Sequence, residues 1–303
     1  MNTLDHLLDI DSLDADQLRG ILDLAARIKA NPAASRDACR DLLLVNLFYE
    51  PSTRTRVSFE IAALRLGMQV VNVAASGSSV VKGESLRDTW DTIQAMAPDV
   101  IVLRHPDNGA PLELARMTLP GIHLVNAGDG SRAHPTQALL DAFTLQQHFP
   151  DLSALTVLVA GDLHHSRVTS SSVALLRKLG VREIRLAAPP GMEASEVVAA
   201  GTRAFQSLDL ALQGVDAVMM LRIQRERMVG ADAPDDEQYH RDWGLTEERL
   251  AIAGPRCIVM HPGPMNRGVE IAPAVADGPQ SVIREQVSNG VFVRMAVLEA
   301  LLG

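Results

Sequence analysis

Phe48-Tyr49-Glu50-Pro51-Ser52-Thr53-Arg54-Thr55-Arg56 joins an unbroken apolar run to a helical one. Leu42-Leu43-Leu44-Val45-Asn46-Leu47-Phe48 reads as a buried parallel strand, and Val57, Ile61 and Leu64 recur at helical spacing until Gly67 stops the pattern. The stretch between them is a strand-to-helix turn. Such a turn aims free backbone N–H groups and the positive end of the helix dipole at the crevice beyond the strand, and Ser52, Thr53 and Thr55 add hydroxyls. A plain alternative is that Ser52 or Thr53 simply caps the helix. Arg54 and Arg56 weigh against it, because cations in a first turn oppose the dipole unless an anion compensates them. A phosphate is the expected guest, since a guanidinium holds phosphate oxygens with two parallel hydrogen bonds.

Outward from this turn the chain alternates strand and helix. Asp14 opens a helix with the stripe Leu18, Ile21, Leu22, Ala25, Ile28 and with Gln17 as capping-box partner. Strands follow at 42–48, 69–73, 100–103 and 122–125, the last broken at Asn126-Ala127-Gly128-Asp129-Gly130, with helices at 84–97, 112–117 and from His134-Pro135 to about 149. The alternation then restarts, with strands at 155–160, 183–188, 215–221 and 256–260 and helices at 168–179, 193–206, 207–213 and 290–302. This is an α/β pattern of two doubly wound parallel-sheet domains of similar size joined by helices. The expected division is 1–148 and 149–289, with the C-terminal helix 290–303 packing back on the first domain. Residues 230–237 form a long polar loop, read either as a solvated excursion or as a mobile lid.

The chain has 303 residues, enough for two cores, and only 3% of them are aromatic, so those cores rest on Leu, Val, Ala and Met. A net charge of −9 argues against a nucleic-acid binder, which needs a basic surface, but not against a small basic pocket. Cys39 and Cys257 stand far apart and outside any C-x-x-C, so they give no disulfide framework and no zinc site; buried thiols in a reducing compartment are expected. His164-His165 lacks further ligands at zinc spacing, and no metal is expected. No signal peptide and no membrane span are read, which implies a cytoplasmic protein.

In open α/β sheets ligands bind beyond the carboxyl ends of the strands. There stand Ser52, Thr53, Arg54 and Thr55; Ser78 and Lys82; Arg104 and His105; His134 and Gln137; Asp162 and Arg167; Arg222 and Gln224; and His261-Pro262-Gly263-Pro264. Basic groups recur at nearly every strand end of an acidic chain. Singly, each has a plainer role: Lys82 as a loop lysine, His134 as a cap, Arg104 in a strand-end ion pair, Arg167 and Arg222 as surface groups or partners of Asp162 and Glu226. No G-x-G-x-x-G and no Walker-type motif occurs.

The residues also resemble a known family. Phe48 to Arg56, Val81-Lys82-Gly83-Glu84-Ser85, Leu103-Arg104-His105-Pro106, His134-Pro135-Thr136-Gln137, Gly161-Asp162-Leu163 with Arg167, Arg222-Ile223-Gln224-Arg225-Glu226-Arg227 and Met260-His261-Pro262-Gly263-Pro264 are similar, in order and spacing, to the aspartate/ornithine carbamoyltransferase family, on the branch of aspartate carbamoyltransferase catalytic chains. The resemblance spans essentially the whole chain. It implies that Ser52, Thr53, Arg54, Thr55 and Arg104 hold the phosphate of carbamoyl phosphate, and that Thr55, Arg104 and His134 surround its carbonyl oxygen. Gln137 and the backbone of Pro262, Gly263 and Pro264 then meet the carbamoyl NH2. Arg167, Arg222 and Gln224 bind the carboxylates of aspartate, and Lys82 and Ser78 reach into a neighbouring subunit's site in a homotrimer, Lys82 serving both aspartate binding and catalysis. Some members carry leucine where Gly263 stands, and the change reads as a subfamily mark.

The reaction so implied is attack of the aspartate α-amine on the carbonyl carbon of carbamoyl phosphate, an early step of pyrimidine (UMP) synthesis needing no cofactor. Arg54, Thr55, Lys82, Arg104 and His134 are the expected catalytic set, acting by positioning and oxyanion stabilisation. Two other readings stay open: an ornithine carbamoyltransferase-like enzyme, disfavoured by the absence of H-C-L-P, and a non-catalytic α/β metabolite-binding subunit. Whether regulatory or dihydroorotase-like chains join the assembly is left open by the sequence.

Overall fold

Each half of the chain forms its own five-stranded parallel sheet, where the alternation predicts four strands. The computed structural model describes residues 4–74, 84–228 and 234–303. The chain divides into two units, Met1–Phe143 with Ser288–Gly303, and Thr144–Val287.

The first unit runs β1 His6–Leu7, α1 Ala15–Ala30, β2 Leu43–Phe48, α2 Thr53–Arg65, β3 Gln69–Ala74, α3 Leu86–Gln94, β4 Val100–His105, α4 Ala110–Ala115, β5 His123–Asp129 and α5 Pro135–His148. Its strand order is β1-β5-β4-β2-β3. Leu47, Ile101, Leu103 and Leu124 from the sheet pack with Trp90 and Ile93 of α3. Asp14 and Gln17 form the expected capping box, each side chain accepting the other's backbone N–H at 2.7 and 3.0 Å.

The second unit runs β6 Thr156–Gly161, α6 Arg167–Lys178, β7 Glu183–Ala187, the single turn α7 Glu196–Ala199, β8 Arg203–Phe205, α8 Leu208–Leu212, β9 Ala217–Leu221, α9 Asp236–Trp243, α10 Glu247–Ala253, β10 Ile258–Met260 and α11 Pro273–Ala276. The strand order is β10-β9-β6-β7-β8. The last helix, α12 Ile283–Leu302, starts seven residues earlier than the sequence suggests, and the division between the units falls within α5 and α12.

Other differences have local causes. β5 continues through the expected break, because Asn126 accepts the Gly128 N–H at 2.8 Å and donates its amide to the Leu8 carbonyl at 2.7 Å, bridging an irregular register. Residues 193–206, read as a helix, hold only α7 and then β8, which pairs with β7. The polar loop ends at α9, whose cap Asp235 accepts the N–H groups of Glu237 and Gln238; residues 229–233 lie outside the described residues, and so does that part of the lid reading. The stripe that signals α2 is real, but it does not face the core: Val57, Ile61 and Leu64 are 40%, 37% and 57% exposed, while Phe59, Ala62 and Ala63 are buried. Cys39 and Cys257 are buried free thiols, pushed up by burial to about 11 and about 12. Among the described residues no helix is long and apolar enough to cross a membrane.

Candidate active site

In the first sheet the strand order reverses between β2 and β4, which makes the crevice beyond their carboxyl ends the switch point. The register pairs Phe48 with Arg104, and the Tyr49 N–H donates to the Arg104 carbonyl at 2.9 Å, so Arg104 stands beside the turn that leads into α2. Its Nη1 donates to the Ala127 carbonyl at 3.1 Å and its Nη2 faces Glu50 Oε1 at 3.2 Å.

Ser52 occupies the cap position of α2 without capping it. Its hydroxyl donates instead to Thr55 Oγ1 at 3.1 Å, so the opening N–H groups of the helix, which have no intrahelical acceptor, are not taken up by the cap side chain. Thr53 and Arg54 are exposed at the mouth of the helix and Thr55 is buried. Behind the turn, the buried Arg294 donates to Ser58 Oγ at 3.0 Å and stacks over Phe59 at 5.0 Å. Burial pulls this guanidinium down to about 10, opposed by Asp141, so it remains charged at neutral pH.

His134 and Gln137 are brought to the same sheet end by β5 and α5. The His134 carbonyl accepts the Gln137 and Ala138 N–H groups at 3.0 and 3.3 Å, which makes His134 the cap residue of α5. Both side chains are buried, and Gln137 Nε2 donates to Asp141 Oδ1 at 2.9 Å. The neighbouring His105 is held below its ordinary value by burial, against the pull of Asp107 and Asp129. Ser78 and Lys82 lie outside the described residues.

In the second sheet the switch point lies between β6 and β9. Gly161 ends β6 at φ +122°, and a Cβ there would sit 2.4 Å from the Leu221 carbonyl oxygen, so only glycine lets the two strand ends approach. The next residue, Asp162, is fully buried. Its Oδ1 accepts the His165 backbone N–H at 3.1 Å and lies 2.9 Å from His165 Nδ1, and its Oδ2 accepts the Gln224 N–H at 3.0 Å. One carboxylate thus ties the segment before Arg167, the buried first residue of α6, to the segment carrying Arg222 and Gln224.

Arg222 and Glu226 make a two-pronged ion pair, with Nη1 to Oε2 at 3.1 Å and a second contact from Nη2 to Oε1. Arg222 holds the Glu226 carboxyl below the usual carboxylate range, against partial burial. Arg222 Nε is buried and has no hydrogen-bond partner among the described residues. Beyond β10 come His261, buried, then Pro262, Gly263 at φ +64° and Pro264, which follows a cis peptide bond. The left-handed φ suits glycine at position 263.

Of the partners that sequence reasoning offers, Glu226 does engage Arg222, whereas the hydrogen bonds of Asp162 go to His165 and Gln224. Glu50, across from Arg104, is a member of the first site that sequence reasoning left unassigned; its place in the turn quoted above was the available signal.

The profile described as aspartate/ornithine carbamoyltransferase, carbamoyl-P binding domain, matches residues 5–147, and that of the Asp/Orn binding domain matches residues 153–301. The chain belongs to the aspartate/ornithine carbamoyltransferase family. Within it, the aspartate carbamoyltransferase catalytic subunit of Gluconobacter oxydans is 51% identical over 300 residues, covering 98% of this chain and 95% of the relative. That of Maricaulis maris is also 51% identical, covering 98% and 93%. Among solved structures of the family, aspartate transcarbamoylase from Trypanosoma cruzi in complex with carbamoyl aspartate and phosphate is 29% identical with a TM-score of 0.88, over 99% of this chain and 96% of that one. Ornithine carbamoyltransferase from Thermus thermophilus superposes equally well, with a TM-score of 0.87 at 26% identity over 99% of both chains. Backbone shape therefore does not separate the two acceptors; the names of the sequence relatives do.

Proposed function

We propose that this chain transfers the carbamoyl group of carbamoyl phosphate to the α-amine of L-aspartate, giving N-carbamoyl-L-aspartate and phosphate, an early step of pyrimidine synthesis. The observation that carries the choice of acceptor is the second unit's switch point. Gln224 is fixed there by Asp162 and Arg222 by Glu226, and the buried Arg222 Nε–H still has a hydrogen bond to give. A carboxylate is its natural acceptor, since guanidinium recognises carboxylate through paired N–H groups. A cationic ornithine side chain could not accept that hydrogen bond and would be repelled by the Arg222 guanidinium.

On this reading Ser52, Thr53, Arg54, Thr55 and Arg104 hold the phosphate, and the register of Phe48 with Arg104 supports their acting together. His134, Thr55 and Arg104 stabilise the oxyanion formed when the amine attacks, the largest single contribution such a site makes. Gln137 and the 262–264 backbone receive the carbamoyl NH2. The departing phosphate takes the amine proton, so no protein nucleophile is needed.

Lys82 and Ser78 complete a neighbouring subunit's site in a homotrimer. The exposed stripe Val57, Ile61 and Leu64 of α2 supports association, because an apolar helix face is stabilised by cover. The setting is cytoplasmic, which suits the buried free thiols. The test is the purified chain supplied with both substrates: N-carbamoyl-L-aspartate and phosphate should appear in equal amounts, and absence of transfer would contradict the proposal.

A further inference from the structure

After β10 the chain turns through residues 261–266, and the turn is tied at three points. The His261 and Glu270 side chains are both fully buried, with His261 Nε2 and Glu270 Oε1 3.0 Å apart. The same Oε1 accepts the backbone N–H of Asn266 at 2.6 Å. On the other side of the imidazole, Nδ1 accepts the backbone N–H of Gly263 at 2.8 Å. An N–H pointed at Nδ1 requires a lone pair there, so the ring proton sits on Nε2 and is donated to Glu270. Two further bonds fix the ends: the His261 N–H donates to Gln286 Oε1 at 2.9 Å, and the Leu245 N–H to the Glu270 carbonyl at 3.0 Å.

One carboxyl oxygen thus holds the first and last residues of the turn, and the imidazole holds its middle. Glu270 Oε2, by contrast, is buried with no hydrogen-bond partner among the described residues. A half-satisfied buried carboxyl is costly, so its retention calls for a role. Between the tied points lie Pro262, Gly263 and Pro264, which present only backbone polar groups to a ligand.

We propose that Glu270 is a positioning residue for carbamoyl recognition. Acting through His261 and the Asn266 N–H, it sets the direction of the 262–264 backbone groups that receive the carbamoyl NH2. This rests on the function proposed above for residues 262–264. Glu270 itself touches no substrate.

The test compares Glu270→Ala with Glu270→Gln in the full chain, after wild-type turnover has been established. Glutamine keeps a carbonyl oxygen able to accept both N–H groups; alanine keeps none. Each protein is titrated separately with carbamoyl phosphate and with inorganic phosphate, and kcat is measured. Glu270→Ala should bind carbamoyl phosphate about tenfold more weakly, as one lost hydrogen bond predicts. Its kcat should fall on the order of 10²-fold, the scale of a small misplacement. Inorganic phosphate affinity should hold, because its proposed ligands belong to the other unit, and Glu270→Gln should recover most of the loss. Unchanged carbamoyl phosphate binding in Glu270→Ala, an equal loss for both ligands, or a glutamine variant as impaired as alanine each overturns the proposal. If Glu270→Ala does not fold, His261→Asn decides instead: it keeps an acceptor for the Gly263 N–H but cannot reach Glu270, and it should show the same selective loss. A wild-type chain without carbamoyl transfer would sink the functional reading; an active wild type with an unaffected Glu270→Ala would sink this inference alone.

Discussion

Asp162 and Gln224 are joined by a 3.0 Å hydrogen bond from the Gln224 backbone N–H to a carboxylate with no solvent exposure, and the same carboxylate holds the His165 N–H. Two segments that carry the proposed acceptor-binding groups therefore share one buried anchor. Replacing Asp162 with Asn turns one acceptor oxygen into a donor that opposes an N–H. The expected result is a rise in aspartate KM of about tenfold or more, the cost of an unsatisfied buried group. Carbamoyl phosphate binding should be nearly unchanged, and equal losses for both substrates would show a general folding defect instead.

Arg222→Ala should weaken aspartate strongly and leave carbamoyl phosphate affinity nearly intact, because Arg222 is not among the groups proposed to hold carbamoyl phosphate. Glu226→Ala should act in the same direction and more weakly, since it removes the ion pair that orients Arg222 but leaves the cation. Because Arg222 depresses the Glu226 pKa, the pair is complete above the ordinary carboxylate range and is lost only as pH falls through the lowered folded value. Aspartate KM in the wild type should therefore not respond to Glu226 titration near neutrality. Steady-state kinetics with each substrate varied in turn checks all three statements.

The anchors of the two sites were legible in the sequence because strand ends are marked by simple signals. An apolar run followed by Ser52-Thr53-Arg54-Thr55, or by Gly161-Asp162, announces a parallel strand feeding a helix. What was not legible depends on distant partners. β1 is two residues long and exists only because His6 and Leu7 pair with Leu124 and Val125. β8 is a three-residue, largely exposed strand that carries no apolar run of its own. The α2 stripe was read from periodicity, which reports a helix but not which of its faces meets the core. Glu270 follows His261 by nine residues at no recognisable spacing, so only the folded turn reveals their contact.

Arg54→Ala and His134→Ala should both keep the fold and lose activity for different reasons. The first should act chiefly through carbamoyl phosphate binding. The second removes an oxyanion donor, which on the usual scale costs on the order of 10²–10³ in turnover. An unchanged kcat in His134→Ala would remove that residue from the mechanism.

The edge strand β1 predicts a pH effect on stability. His6 Nδ1 accepts the Leu124 N–H at 3.1 Å, and burial, with His123 beside it, holds His6 below its ordinary 6.5 despite Asp5. The neutral ring is thus favoured in the fold. Its contribution is complete above pH 6.5 and is lost as pH falls from there through the lowered folded value, because the unfolded chain takes up the proton first. His6→Asn keeps an acceptor and cannot titrate, so it should flatten the fall in melting temperature across that window. A slope identical to wild type would show that His6 does not contribute.

Assembly can be tested through Lys82. Two inactive variants, Lys82→Ala and Arg54→Ala, are dissociated and reassembled together. Around a closed ring every mixed trimer has one junction where an intact Arg54 meets an intact Lys82, so activity should return. Hybrids of verified mixed composition that stay inactive would show that the site is not shared through Lys82.

The central claim is the choice of acceptor, and one competition measures it. The purified chain is given labelled carbamoyl phosphate with equal concentrations of L-aspartate and L-ornithine, and the products are separated. The account predicts label almost wholly in N-carbamoyl-L-aspartate; label predominantly in citrulline would contradict it.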